Sequence, residues 1–491
     1  MDVVLLLLAC LASFGRMVSA YIISLFVAIS IGISMARRKA VESILLPVLD
    51  ILQSIPILGF FPIAIVVFAT VLPRNIGLEL AAVFLIVTSL LWNMIFGVYT
   101  AIKSLDPSLF TMASVYKMGL FSRLAYIYVP AARAAIAANS IISWAGGWFF
   151  LTSAEVMATG SEEYKLFGIG SLIMDFYSSG KTVEFYITLS ALFIIIIISY
   201  ILIFNPATNF ASQQYLLPAY SKSFYYIYKL VSSIWSFLTW LGIKLESRKI
   251  GVHSAIVLVF TLTAMLMHLN MFVSIQIDYF PILNFVYNFL LSLARVSLIV
   301  LLSFVLTIGI AYLALVRRWG PAIAIAGEFL ASIPAIIWWP LLSPLISALP
   351  WVVSFIVFLQ GSLWYEFFSV ILFGVPKIRS EILDLAKIYG VKGFNYFRYI
   401  LIPSLMPSIA SGALSAWGGA WNATIVAEYF ASATGVVDLG GVGSMLSKYA
   451  DEGRFDLVLY TVLLWSLAIA VLNKVVWSRI LKQVEKSFLV E

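Results

Sequence analysis

The chain has 491 residues, 63% of them hydrophobic and 11% charged, with a mean hydropathy of +1.05 and a formal net charge of +7. A soluble domain carries roughly 25% charged residues, so composition excludes a soluble enzyme and a nucleic-acid binder and indicates an all-α polytopic membrane protein. A membrane barrel would show short alternating strands, and the apolar runs here do not alternate.

The segment Met1–Ser13 lacks a basic start and a small-residue cleavage site, so it is not read as a signal peptide. Arg16 leads a first span that ends at Arg37-Arg38-Lys39. Ser54-Ile55-Pro56 and Pro62 follow; prolines inside an apolar run kink or break the helix, and neighbouring helices re-satisfy the freed carbonyls. A third span near Ala81–Tyr99 leads to a polar stretch ending in Ile127-Tyr128-Val129-Pro130. The next span carries Ser143-Trp144-Ala145, Trp148 and Ala154-Glu155; Gly168-Ile169-Gly170-Ser171 and the span Val183–Phe204 come after it. The aromatic segment Phe224–Ile243, with lysines and arginines around it, reads as an interfacial helix, and Val252–Phe272 as an extra crossing. Phe280–Leu293 reads as an interfacial elbow on the outer side.

The remainder repeats the beginning. Arg295 leads a span to Arg317-Arg318, then come Ser332-Ile333-Pro334 with Pro340, a span near Trp351–Phe373, and Ile400-Leu401-Ile402-Pro403. Trp417 and Trp421, Ala427-Glu428, Gly441-Val442-Gly443-Ser444 and the span Leu457–Trp477 complete the series. From the Ile-Pro element to Gly-x-Gly-Ser the two series lie 273 positions apart without a gap; the Ser-Ile-Pro blocks lie 278 apart. Such a match means one unit present twice. Residues 1–205 form the first unit, 206–251 a cytoplasmic linker and 252–491 the second unit. Two parallel five-span cores and one extra span make about 11 transmembrane helices at about 20 residues each. Most of the 30 lysines and arginines fall at the paired-arginine ends, the Ile-Pro stretches, the linker and the C-terminal tail, which places those on the cytoplasmic side.

No phosphate loop, nucleophile elbow or cluster of metal-ligand residues at ligand spacing is present. Cys10 is alone, and His253 and His268 read as ordinary helix residues. No catalytic residue, metal ligand or cofactor site is expected. Glu155 and Glu428 fall about 31 Å along helices starting near Ala134 and Pro407. They read as carboxylates at the outer boundary, hydrogen-bonded to a neighbour, with a role in transport as the alternative. Trp144, Trp148, Trp417 and Trp421 bracket glycine and alanine, a pattern for close helix approach; lining a solute path is the alternative.

The two Ile-Pro stretches resemble the cytoplasmic "EAA" loop of ATP-binding-cassette importer permeases, Glu-Ala-Ala, three residues, Gly, nine residues, Ile-x-Leu-Pro. The second copy has Asp384-Leu385-Ala386, Gly390, Ile400, Ile402 and Pro403 in that pattern; the first has Thr111-Met112-Ala113, Lys117, Ile127, Val129 and Pro130. The surrounding blocks resemble the nitrate/sulfonate/bicarbonate branch of that family. The resemblance implies two permease units fused in one multi-pass protein of a prokaryotic plasma membrane. It also implies two cytoplasmic ATPase subunits and an extracytoplasmic solute-binding protein as partners. On that resemblance Ala113, Lys117, Ile127, Pro130, Asp384, Ala386, Gly390, Ile400 and Pro403 belong to loops that couple to the ATPases. Duplication alone also allows a secondary transporter with parallel repeats or a non-transporting scaffold. Because glycine takes positive φ at little cost and lysine does not, the two loops are expected to follow different backbone paths.

Overall fold

The computed structural model describes residues 2–53, 56–159, 166–199, 280–316, 320–331, 333–346, 348–375, 378, 380–432 and 435–488. The readings for the 206–251 linker, Phe224–Ile243, Val252–Phe272, His253 and His268 fall outside them. In the first unit the long helices are α1 (Val3–Arg37), α2 (Lys39–Gln53), α3 (Phe61–Val71) and α4 (Arg74–Lys103). A short α5 (Pro107–Val115) precedes α6 (Val129–Thr159), α7 (Ile169–Ser178) and α8 (Thr182–Ser199). The second unit runs α9 (Ile282–Val316), α10 (Gly320–Ala331), α11 (Pro350–Phe367), α12 (Ser380–Ile388) and α13 (Ile402–Glu428). A hairpin of β1 (Tyr429–Ser432) and β2 (Gly435–Asp438) then leads to α14 (Val442–Asp451), α15 (Phe455–Leu472) and α16 (Ser478–Phe488). The hairpin is antiparallel, with Tyr429 opposite Asp438 and Ser432 opposite Gly435.

Seven helices among the described residues are long and apolar enough to cross a bilayer. Counted as one span, the bent pair Leu120–Ala137 and Asn139–Val156, meeting at 52°, brings the number to eight. The elbow expected at Phe280–Leu293 is not there. Nothing between Ile282 and Val316 breaks the helix, so α9 is continuous over 35 residues, and α1 matches it at 35. At 1.5 Å per residue each reaches about 52 Å, well beyond a hydrocarbon core of about 30 Å. The Ser-Ile-Pro element is not a full span either. In the first unit it is a 3-10 turn Ile57–Phe60 running into the 11-residue α3; in the second it is a turn at Ala335–Ile337 followed by two four-residue helices, Trp338–Leu341 and Ser343–Ile346. The prolines account for this, each removing a donor and fixing φ.

The Ile-Pro elements lie within continuous helical stretches, Leu120–Thr159 and Phe394–Glu428. Pro130 and Pro403 stand where α6 and α13 take over from a π turn, a local widening that suits a residue without an N–H and with a ring against the preceding carbonyl. A π turn, Leu124–Tyr128 and Phe397–Leu401, precedes each. Thus α13 begins at Ile402, and Pro407 lies inside it. Within the second unit α11 and α13 approach backbone to backbone. A Cβ on Gly419 would stand 2.2 Å from the Gly361 carbonyl oxygen, and one on Gly361 2.5 Å from Ala423 Cβ. Close approach of small residues is how helices gain dispersion contact in lipid, where apolar burial alone favours no partner.

Candidate functional site

Three features recur or meet across the two units: a carboxylate cluster in each, a cytoplasmic loop in each, and a cavity between them. The carboxylate cluster ties the end of α6 or α13 to the start of the unit. Ser13 Oγ and Arg16 Nη1 donate to Glu155 Oε1 at 2.6 and 2.7 Å, and the Gly170 N–H donates to Glu155 Oε2 at 2.7 Å. In the second unit Ser292 Oγ and Arg295 Nη1 donate to Glu428 Oε1 at 2.6 and 2.9 Å, and the Gly443 N–H donates to Glu428 Oε2 at 2.9 Å. Each serine also accepts from the first turn of the following helix, Ile169 N–H at 2.8 Å and Val442 N–H at 2.9 Å. Arg16 further donates to Glu79 and the Phe167 carbonyl, and Arg295 to the carbonyls of Leu439 and Gly440. Both glutamates are fully buried and every carboxylate oxygen has a donor. A buried charge is tolerable only under such pairing. Each carboxylate oxygen is thus engaged by groups of its own unit. Glu366 differs: it is buried, and neither of its carboxylate oxygens has a partner among the described residues.

The loops match residue for residue. Asp106 caps α5 through Ser108 N–H at 2.8 Å. Ala113 and Ala386 are buried, while Met112, Val115 and Tyr116 in the first loop and Leu385, Ile388 and Tyr389 in the second are exposed, the two tyrosines at 74% and 78%. Asp384 is exposed and, among the described residues, pairs with Lys387 at 2.9 Å. Ile127 is buried and Ile400 half-buried beneath the loops. The expected difference in path is absent. Lys117 takes φ +49°, close to +62° at Gly390. The same two hydrogen bonds close both turns: Lys117 N–H to Ser114 and Met118 N–H to Ala113, against Gly390 N–H to Lys387 and Val391 N–H to Ala386. These bonds hold Lys117 in a left-handed conformation that costs a residue with a Cβ about 1–2 kcal/mol.

Between the units, the turn of one meets the tryptophan-glycine helix of the other. The Ile57 N–H donates to Asn422 Oδ1 at 2.6 Å. Reciprocally, Ile333 and Ala335 share a cavity wall with Ala145, Gly146 and Phe149. This cavity measures about 40 Å³, and a second, of about 90 Å³, lies beside it. Tyr365 lines both. Its ring lies against Gly419, where a Cβ would meet it at 2.6 Å, and its hydroxyl reaches toward Gly146 of the first unit, 3.5 Å from where a Cβ would stand. Gly146 and Gly419 are 273 positions apart, as are Trp92 and Tyr365, both on the wall of the larger cavity. Trp417 also lines it. Trp144, Trp148 and Trp421 pack inside their own units: Trp144 donates to Ser199 Oγ at 3.0 Å, and Trp421 stacks on Phe289 at 5.3 Å. The sequence reading therefore missed Trp92, Tyr365 and Asn422. The 273 offset applied to third-span aromatics was the available signal.

The family described as binding-protein-dependent transport system inner membrane component matches residues 28–210 and again 303–483. Among curated proteins, the bicarbonate transport system permease protein of Synechococcus elongatus is 26% identical over 167 residues, 34% of this chain and 56% of its own length. The nitrate import permease protein of Leptolyngbya laminosa is 24% identical over 173 residues, 35% and 57% of the two chains. The putative aliphatic sulfonates transport permease protein of Escherichia coli is 27% identical over 94 residues, 19% of this chain and 34% of that one. The chain thus spans 56% and 57% of the length of the first two.

Proposed function

Because the chain belongs to the family of binding-protein-dependent transport system inner membrane components and carries its unit twice, we propose that it is the permease of an ATP-driven importer in a prokaryotic plasma membrane. Solute passes between its two halves. The observation that carries the reading is the pair of matched loops, each showing two apolar side chains and a tyrosine on one short helix while burying its alanine. An amphipathic helix with an exposed apolar edge suits a groove on a partner. Two such loops in one chain suit two ATPase subunits, with Ala113, Lys117, Asp384, Ala386 and Gly390 shaping the helices and their turns. Ile127, Pro130, Ile400 and Pro403 join each loop to the span behind it. A solute-binding protein would deliver cargo on the opposite side, where α14 and the hairpin lie. Hydrolysis belongs to the partners, since the chain itself has no phosphate loop. Trp144, Trp148, Trp421, Glu155 and Glu428 brace each half, whereas Trp417 faces the path. We place the unit boundaries at 1–205 and 252–491, joined by 206–251.

The test is purification of the tagged chain from native membranes, followed by uptake into proteoliposomes. An ATP-binding subunit should co-purify and uptake should need internal ATP. Uptake driven by an ion gradient without ATP would identify a secondary transporter instead.

A further inference from the structure

We infer that the larger cavity between the halves is a solute site for a small, flat, uncharged molecule that carries both hydrogen-bond donors and acceptors. The inference rests on the reading that solute crosses between the halves.

Among the described residues, none that lines either interface cavity is charged. Arg16 and Arg295, the arginines buried or half-buried in the long first helices, are committed to Glu155 and Glu428. An anion entering the cavity would lose water and meet no cation, and desolvation of an unpaired ion is costly.

Hydrogen-bond direction narrows the choice further. The hydroxyls of Ser89 and Ser415 donate to the carbonyls of Ile86 at 2.7 Å and Ser411 at 3.2 Å, so a guest finds only their lone pairs. Asn422 accepts from Ile57 and donates one amide hydrogen to the Gly418 carbonyl at 3.0 Å, which fixes its orientation in the wall. The side-chain amides of Gln53 and Asn93 complete the polar wall, and an amide offers donors as well as an acceptor. Such donors call for an acceptor. A guest that suits this wall donates to the serines and accepts from the amides. A bare oxyanion such as nitrate brings acceptors alone and sets lone pairs against the serine oxygens.

Shape agrees. The flat faces of Trp92, Tyr365 and Trp417 favour a planar guest. About 90 Å³ is room for several water-sized centres at about 10–15 Å³ each, hence for a molecule of few heavy atoms. The site therefore differs in charge preference from what the names of the nitrate and bicarbonate relatives state.

The experiment is calorimetric titration of the full chain in lipid nanodiscs at constant ionic strength, with uracil as the neutral probe and sodium nitrate as the anionic one. Uracil should give a saturable heat and nitrate none. Asn93→Leu, which keeps the volume but removes an amide from the wall, should weaken uracil about tenfold, the worth of one hydrogen bond. Ser415→Ala, a small change at an exposed position, should weaken it several-fold and guards against misfolding of the first variant. Saturable nitrate binding lost in Asn93→Leu, absence of any uracil heat, or uracil binding indifferent to both variants would each overturn the inference. Co-purification of an ATP-binding subunit, scored in the same preparation, separates that failure from failure of the importer reading.

Discussion

The two buried glutamates have the same partners but different tolerance to change. Gly168 is extended at φ −177°, a conformation open to any residue, yet a Cβ there would stand 2.1 Å from Glu155 Oε1. Gly441 has φ +113°, and a Cβ there would stand 2.2 Å from Glu428 Oε2. Gly168→Ala must displace the carboxylate from its donors, at about 1–3 kcal/mol for the groups left unmet. Gly441→Ala adds backbone strain of about 1–2 kcal/mol to the same displacement. Thermal melting in detergent should rank Gly441→Ala below Gly168→Ala, and both below the wild type; the opposite ranking would contradict this account. Glu155 and Glu428 stood out in the sequence because opposite ends of a gap-free offset both held a carboxylate. Their arginines were visible as span leaders, but 279 positions apart rather than 273. That six-residue change in spacing between cluster members hid the pairing, since sequence offset says nothing of which helices meet. The glycines that make room for the carboxylates were seen only as part of a motif.

At the scale of the loop, propensity gave the wrong forecast and hydrogen bonding explains why. Lysine is disfavoured at positive φ, yet the bonds that close the turn after Ala113 are the ones that close it after Ala386. Where local geometry is fixed at both ends, the preference of one residue becomes a cost rather than a change of path. Lys117→Gly should then stabilise the first loop by about 1 kcal/mol, read as slower hydrogen exchange over 107–120. Gly390→Lys should be tolerated, lowering ATPase stimulation of the reconstituted complex less than twofold. Tyr116→Ala and Tyr389→Ala, which remove the exposed rings, should each lower it more than Gly390→Lys does. If Gly390→Lys abolishes stimulation while Tyr389→Ala leaves it intact, backbone shape and not the apolar edge carries the coupling. The spans were legible for a related reason: long runs such as Val296–Val316 have no competing structure. The Ser-Ile-Pro elements were not, because proline marks a break without stating whether the two sides continue across the bilayer.

Across the whole molecule, duplication explains why the halves meet as they do. Each unit presents a broken turn and a tryptophan-glycine helix, and each turn meets the other unit's helix, Ile57 on Asn422 and Ala335 in the wall shared with Phe149. This reciprocity is the self-complementary contact of a twofold pair, here built within one chain. Such a contact does not depend on a covalent link, whose role is to raise the local concentration of one half around the other. Residues 1–205 and 252–491 expressed as separate, differently tagged polypeptides should therefore co-purify. Leucine at Gly146 should weaken that association, because its side chain would press on the Tyr365 hydroxyl from the opposite half. Leucine at Gly309, where nothing lies within 4 Å of a Cβ, should leave it unchanged. Separate halves that fold but never associate would show that the linker creates the interface rather than tethering one that the duplicated surfaces already specify.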